Sequence, residues 1–186
     1  MSTPSPARAA LVLVAAVTAV VAATAIARLL PRHAAGTDDP PGSATVVRVV
    51  DGDTLVVDLA GRDENVRLIG IDTPESVAVD RPDECYGAEA SENLSALVPP
   101  GTRVRLERDL EARDQYDRLL GYVYRVDDDL FVNLAQVTSG FAETLTYPPN
   151  TTHRPEFEQA ERDARTGGVG LWTACGTADI PIGRSP

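Results

Sequence analysis

Short runs rich in Val, Ile and Leu recur through the central part of the chain, with apolar and polar residues tending to alternate. Such β-branched runs are typical of strands. The first two are separated only by Asp51 and Gly52, which are typical of a hairpin junction. We expect five strands, at 44–50, 53–59, 65–71, 103–108 and 119–126, with a further turn at 60–64.

Three segments carry apolar residues at helical spacing instead. The clearest is 86–98, which ends before Pro99 and Pro100, and two more follow at 133–140 and 155–166. One helix is therefore inserted among the strands and two come after them. This order predicts an α+β fold, a small β-barrel flanked by three helices.

The N-terminal segment has the pattern of a targeting sequence. Residues 9–27 contain no charge and end on the small-residue pattern that signal peptidase prefers. An uncleaved anchor, with the membrane as its partner, is the alternative, because the stretch approaches the roughly 20 residues that span a bilayer. In either case we expect a hydrophobic targeting helix and a protein that is secreted or anchored to the outer face of the cytoplasmic membrane.

The chain then divides simply. The predicted signal peptide or anchor covers 1–27, and 28–42 is rich in Pro, Gly and Asp, as flexible linkers are. Residues 43–175 have the pattern of one globular domain, and 176–186 form a short tail.

The charge balance limits the chemistry. The chain of 186 residues has a net charge of -11 at pH 7, and all 17 basic residues are Arg. The absence of Lys excludes a Walker A loop or a Schiff-base enzyme, and a chain with two His cannot build a His-rich metal site alone. Acidity is unusual for a protein that binds a polyanion. It is still compatible with one, because carboxylates can hold a divalent cation whose charge dominates locally.

Cys85 and Cys175 are the only cysteines. An oxidising compartment favours joining them, and the bond would close a long loop at a gain of about 4–5 kcal/mol in the chain-entropy model. Two free thiols are the alternative.

Two short acidic clusters supply the ligands that hard cations prefer. Asp53 lies in the sequence DGDT, while Asp72 and Glu75 flank Thr73 and Pro74. Pro74 disfavours a helical Thr73, which leaves the Thr73 carbonyl free to face a cation. Two carboxylates and a carbonyl oxygen suit Ca²⁺, with water completing the shell. Taken singly, the clusters are also typical of a turn and of a capped helix start.

Two arginines extend the pattern. Arg67 lies in an apolar strand, where a barrel-rim ion pair is the ordinary interpretation, and Arg118 opens a later strand, where a surface position is. Together with the carboxylates, however, they supply what phosphodiester hydrolysis requires. A metal neutralises one phosphate oxygen, guanidinium groups clamp the others, and a carboxylate takes a proton from water.

In their order along the chain, the sequences DGDT, RLIGIDTPE, YGAEAS, RDQYDRLLGYVY, NLAQVTSGFA, PPNTTH and GLW resemble the staphylococcal nuclease family. The similarity spans about residues 44–172. It implies a five-stranded OB-fold barrel with three helices. It also implies a Ca²⁺-dependent nuclease that acts on DNA and RNA and leaves 3′-phosphate ends.

The resemblance assigns roles by motif. The implied metal ligands are the carboxylates of Asp53 and Asp72 and the carbonyl of Thr73. The implied catalytic residues are Arg67, Glu75 and Arg118. The arginines would bind and stabilise the pentacoordinate phosphate, and the glutamate would act as general base or orient the attacking water.

The substrate contacts depart from the family's pattern. Gln115 and Asp117 flank Tyr116 where the family's best-known member has Lys and Gly, and Leu145 replaces a stacking aromatic. Tyr116 and Tyr147 remain as substrate-binding candidates. Because stacking is worth about 1–3 kcal/mol per base, we expect weakened binding of the substrate, single-stranded or frayed DNA and RNA. We also expect the protein to be a monomer.

Two other functions fit parts of the sequence. One is a non-catalytic OB-fold nucleic-acid binder, against which the presence of Arg67, Glu75 and Arg118 and the lack of a basic surface both count. The other is an acidic, Ca²⁺-stabilised interaction module of the cell exterior. A nuclease assay with and without chelator separates the three functions.

Overall fold

The computed structural model of the chain describes residues 40–75 and 84–175. The predicted signal peptide or anchor, most of the predicted linker and the predicted tail lie outside these residues. Of the helices in the described stretches, none is both long and apolar enough to cross a membrane.

Five of the described strands close into a barrel. The described residues form seven strands in all: β1 (Ser43–Val49), β2 (Thr54–Leu59), β3 (Arg62–Leu68), β4 (Ile71–Asp72), β5 (Arg103–Glu107), β6 (Leu119–Arg125) and β7 (Glu143–Thr144). The barrel order is β1-β2-β3-β6-β5, and β4 pairs with β7 in a separate two-stranded sheet. Strands β3 and β6 run parallel, whereas the other barrel neighbours are antiparallel. The α+β fold and the five-stranded barrel are confirmed.

Apolar positions of the strands fill the barrel. Leu55, Val66, Leu68 and Val123 are at most 1% exposed. Because successive side chains of a strand point to opposite faces, Arg67, between Val66 and Leu68, lies on the outer face of β3. One apolar alternation therefore packs the core and places a charged side chain outside it.

The boundaries predicted around β3 are wrong. The turn before it is shorter than 60–64, because Ala60 and Gly61 both take positive φ (54° and 85°) and complete the reversal at once. The strand also ends earlier, at Leu68, because Gly70 has φ 84° and lies against the ring of Phe157. Of the rest of the predicted strand, only Ile71 is in a strand, as the first residue of β4.

Four helices are described: α1 (Gly87–Leu97), α2 (Val132–Thr138), α3 (Arg154–Gly167) and α4 (Leu171–Ala174). The first three confirm the predicted helices. The third ends at Gly168, whose φ of 59° is the left-handed conformation common at helix C-termini. The fourth was not predicted, since a single turn is too short to show a helical period.

The disulfide between Cys85 and Cys175 is present, with Cα atoms 5.8 Å apart. It joins the segment just before α1 to the residue that ends α4. The prediction of a bonded pair is confirmed, and the alternative of two free thiols is not.

Candidate active site

A cleft of about 580 Å³ opens where the β1–β2 loop, the end of β3 and the loop before β6 meet. The predicted site residues that line it are Asp53, Arg67, Asp72, Glu75, Tyr116, Arg118 and Tyr147. Thr73 is buried beside them, and its backbone N–H donates to Oδ2 of Asp53 at 3.1 Å. The fold thus brings together side chains that are scattered along the sequence.

The β1–β2 loop holds Asp53 at the floor of the cleft. The Asp53 N–H donates to Oδ1 of Asp51 at 3.0 Å, and Gln136 of α2 donates to the Gly52 carbonyl at 2.7 Å. A Cβ at position 52 would lie only 2.7 Å from Oγ1 of Thr73, so glycine permits the close approach of the two segments. Asp53 is therefore held in place from both sides.

Arg67 joins the two predicted carboxylate ligands. Its Nη2 lies 3.0 Å from Oδ2 of Asp53 and 2.8 Å from Oδ1 of Asp72. Its Nη1 donates to the carbonyls of Leu68 and Ile71 at 2.9 and 2.8 Å. These contacts occupy the guanidinium from several directions, and its side chain is only 13% exposed.

The charges of the floor make it receptive to a cation. Burial raises the pKa of Asp53 to about 7, and the nearby Asp51 and Asp72 add to the rise, although Arg67 opposes it. Burial also raises the pKa of Asp72, again against the effect of Arg67. One guanidinium therefore does not fully compensate the buried Asp53 and the partly buried Asp72. A divalent cation would supply the missing positive charge.

The donor set also suits an oxygen-binding cation. Within residues 40–75 and 84–175, no group of three or more His, Cys, Asp or Glu side chains is placed to hold a metal. The predicted set needs only two carboxylates and the Thr73 carbonyl, and Ca²⁺ commonly completes such a shell with water. The residues present fit Ca²⁺ and do not fit a metal that requires nitrogen or sulfur ligands.

Glu75 lies at the mouth of the cleft, where its side chain is exposed. Partial burial of its carboxyl raises its pKa, and the like charges of Asp51, Glu84 and Asp72 raise it further. A carboxylate with a raised pKa is a stronger base than an ordinary surface glutamate.

Arg118 lines the cleft from the turn that precedes β6. Asp114 forms a turn around it, because its Oδ1 accepts from the N–H groups of Tyr116 and Arg118 at 2.9 and 3.0 Å. Its Oδ2 pairs with Nε of Arg118 at 2.7 Å. Burial would raise the pKa of Asp114, but the hydrogen bonds from Arg118 and Tyr116 outweigh it and lower the pKa. Nε makes this pair, and within residues 40–75 and 84–175 neither Nη group has a carboxylate partner, so both are available to another anion.

Tyr116 and Tyr147 stand at the rim, each 72% exposed. The ring of Tyr116 lies 5.6 Å from Cζ of Arg118. The loop that carries Tyr147 is fixed to the segment around Glu111, because the side chain of Asn150 exchanges hydrogen bonds of 2.8 and 2.9 Å with the backbone of Glu111. Two aromatic faces are thereby presented to solvent beside the cleft.

The family model described as staphylococcal nuclease homologue matches residues 65–174. The chain belongs to the staphylococcal nuclease family. A thermonuclease of Staphylococcus intermedius is 42% identical over 142 residues, which are 76% of this chain and 83% of that protein. A thermonuclease of Staphylococcus hyicus is 38% identical over 128 residues, 69% of this chain and 74% of that protein.

The similarity extends beyond staphylococci. Endonuclease YncB of Bacillus subtilis (strain 168) is 34% identical over 139 residues, which are 72% of this chain and 63% of that protein. The resemblance drawn from the motifs is confirmed, and the chain is a homologue of nucleases.

In this member of the family, some residues that shape the site were missed at the level of sequence. Asp114 could have been found, since an Asp followed by Tyr116 and Arg118 at two and four residues is typical of a side-chain-capped turn. Gln136 and Asn150 lie in the quoted sequences NLAQVTSGFA and PPNTTH, but no role in the site could be assigned to them, because their partners lie far away in the chain.

Proposed function

We propose that this chain is a Ca²⁺-dependent nuclease that hydrolyses phosphodiester bonds of DNA, RNA or both and leaves 3′-phosphate ends. The observation that carries the proposal is the single cleft in which the Asp53–Arg67–Asp72 group faces Glu75 and Arg118. A metal-binding module alone would need no second arginine or base there.

The residues of the cleft divide the work. Arg118 is held through Nε and offers its Nη groups to the phosphate, while Arg67 lies beside the cation ligands. Guanidinium groups in such positions stabilise the charge that develops on the phosphate oxygens. The water oxygen bonds to phosphorus as Glu75 accepts its proton, and the bond from phosphorus to the 5′ oxygen breaks. The leaving 5′ oxygen takes a proton from solvent and becomes a hydroxyl.

Asp53, Asp72 and the carbonyl of Thr73 are the residues that would hold Ca²⁺. When bound, the ion supplies positive charge that polarises the phosphate. Its positive charge also offsets, within the cleft, the net negative charge of the chain, which otherwise repels a polyanion.

We further infer that the protein acts outside the cytoplasm, secreted or anchored to the outer face of the cytoplasmic membrane. The uncharged segment 9–27 and the Cys85–Cys175 bond both support this location. Fractionation of cells that express the whole chain should find it in the medium or the membrane fraction. Recovery in the cytoplasm with reduced cysteines would contradict the inference.

The proposed activity is tested with a labelled single-stranded oligonucleotide, with Ca²⁺ and with chelator. We expect cleavage only with Ca²⁺. With a dye on the 5′ end of the oligonucleotide, the labelled products should change mobility on phosphatase treatment, because only a 3′-phosphate can then be removed from them. Glu75→Gln should lower kcat about 10²–10⁴-fold, the usual contribution of general base catalysis. Glu89→Gln, an exposed change on α1, is the matched control and should leave kcat unchanged. Full activity in chelator would remove the metal from the proposal.

A further inference from the structure

The backbone of Glu75 is held by a residue that the proposed chemistry does not use. Oε2 of Glu84 accepts a hydrogen bond from the Glu75 N–H at 3.0 Å. The Glu84 N–H in turn donates to the Glu75 carbonyl at 2.9 Å. Both backbone polar groups of Glu75, its N–H and its carbonyl, are thus bound to the same partner, nine positions away.

Gly87 lies directly against the backbone of Glu75. Gly87 is buried, and a Cβ at that position would lie 2.7 Å from the Glu75 carbonyl oxygen and 2.9 Å from that of Pro74. Any larger residue would push the Glu75 backbone away. The N–H of Gly87 also donates to the Glu84 carbonyl at 3.0 Å, which joins the two residues into one turn.

The turn is tied covalently to another part of the fold. Cys85 lies between Glu84 and Gly87 and is bonded to Cys175 at the end of α4. Tyr86, next in the chain, packs with Cys175 against the buried Ala164, Leu171 and Trp172. The disulfide therefore anchors the turn to the C-terminal helices.

We propose that Glu84 is a positioning residue for Glu75, and that the Cys85–Cys175 disulfide holds the turn from which Glu84 acts. This inference rests on the proposed role of Glu75 as the proton acceptor. Glu75 follows β4 closely in the chain, and its N–H and carbonyl are both bound to Glu84, so its backbone is held in place. A displacement of about 1 Å at a reacting group costs about 10²-fold in rate, so such a hold has a measurable value.

The charge of Glu84 is not what makes it useful. Its carboxylate adds like charge beside Asp72 and Glu75. The useful feature is the oxygen that accepts from the Glu75 N–H. A glutamine keeps that acceptor without the charge, which separates the two effects.

The test compares kcat and KM on single-stranded DNA at saturating Ca²⁺. Glu84→Ala should lower kcat about tenfold to hundredfold and leave KM within about twofold, because Glu84 touches no substrate. Glu84→Gln should restore kcat to within about threefold of the wild type. Glu89→Ala, an exposed glutamate on α1, controls for loss of charge. If Glu84→Gln is as impaired as Glu84→Ala, the positioning role is wrong.

A double-mutant cycle with Glu75→Gln distinguishes this inference from the proposed function. If Glu84 acts only through Glu75, Glu84→Ala should change kcat less than twofold in the Glu75→Gln background. An equal loss in both backgrounds would mean that Glu84 acts elsewhere. If Glu75→Gln itself keeps full kcat, the role of Glu75 fails. An inactive Glu75→Gln with a fully active Glu84→Ala would instead overturn only the inference.

The disulfide is tested with the Cys85→Ser/Cys175→Ser double variant. Its stability should fall, so kcat is measured at a temperature where near-UV circular dichroism of Trp172 shows it folded. We expect kcat to fall about threefold to tenfold with KM unchanged. When Glu84→Ala is added, kcat should equal that of Glu84→Ala alone, because the disulfide acts through Glu84. A folded double variant with wild-type kcat would contradict the proposed role of the disulfide in holding the turn of Glu84.

Discussion

Arg67 and Arg118 face the same cleft, yet they are held by different kinds of structure. Arg67 lies within β3, is 13% exposed and contacts two carboxylates and two carbonyls. Arg118 lies in the turn before β6, is 31% exposed and pairs with the carboxylate of Asp114 alone among the described residues. The first arginine is part of the floor of the cleft and the second is part of its rim.

The difference separates stability from catalysis. At the floor, the buried Asp53 and the partly exposed Asp72 both pair with Arg67, so removing Arg67 leaves uncompensated charge there. At the rim, the charge of Asp114 is satisfied by backbone N–H groups as well as by Arg118. We therefore expect floor substitutions to change both folding and turnover, and rim substitutions to change function alone.

The largest effect should come from exchanging the two arginines for alanine. Arg118→Ala should lower kcat about 10³-fold and shift Tm little, because it removes charge stabilisation at the phosphate. Arg67→Ala should lower kcat similarly and also destabilise the metal-free protein by about 3 kcal/mol. Added Ca²⁺ should return part of that stability. Calorimetry and steady-state kinetics measure both.

Arg154→Ala, on the exposed start of α3, controls for loss of an arginine. Equal Tm values for Arg67→Ala and Arg118→Ala would mean that floor and rim do not differ.

Salt dependence should show how few phosphates the cleft contacts. Among the described residues, Arg67 and Arg118 are the arginines that line it. Each phosphate neutralised on a single strand contributes a slope of about −0.7 to the log–log plot of affinity against salt. We expect a slope of about −1.4 for binding of single-stranded DNA at saturating Ca²⁺, reduced by about 0.7 in Arg118→Ala. A slope steeper than about −4 would indicate an extended basic surface and contradict the expectation that Arg67 and Arg118 make most of the phosphate contacts.

The two rim tyrosines should affect binding and not turnover. Tyr116 and Tyr147 are each 72% exposed, so a base that stacks on either displaces water from only one face. We expect Tyr116→Ala and Tyr147→Ala each to raise KM about fivefold, the low end of base stacking, with kcat within about twofold. Leu110→Ala, at a residue 80% exposed outside the cleft lining, is the control. A lower kcat with unchanged KM would place these rings in the reaction itself.

Much of the fold could be predicted because its signals are local. The barrel strands follow from β-branched alternation, and α1 from its apolar spacing before Pro99. The end of β3 could not be predicted, since the break at Gly70 depends on the ring of Phe157 in α3. A pattern of neighbours in sequence carries no information about such a contact.

The site divides in the same way. Asp53, Asp72 and Glu75 occur in short recognisable sequences, and the cleft brings them together. Glu84 and Glu143 gave no such signal, because each acts on the site through a pairing set by tertiary structure. Glu84 meets Glu75 through two hydrogen bonds to its backbone, and Glu143 meets Asp72 as its partner in the β4–β7 pair.

Glu143 is the β7 partner of Asp72, and it provides the test with the smallest expected effect of how charge near the floor changes stability. Burial raises the pKa of Glu143 to about 7, and the like charges of Glu161 and Asp72 add to the rise, against the effect of Arg165. Because the folded pKa lies above the unfolded value of 4.5, the folded state holds the proton more tightly. The stability that this provides is fully present below the unfolded pKa and is lost as the pH rises through about 7.

Glu143→Gln removes this loss, since glutamine stays neutral at every pH. In chelator, the variant and the wild type should have similar Tm at pH 5, and the variant should be more stable at pH 8 by about 1 kcal/mol after solvent screening. Glu89→Gln, exposed on α1, should show no such pH-dependent difference. A Tm difference for Glu143→Gln that is the same at both pH values would contradict the coupling. Since Glu143 lies beside Asp72 and not at the rim, added Ca²⁺ should shrink the pH 8 difference by supplying positive charge to the same floor.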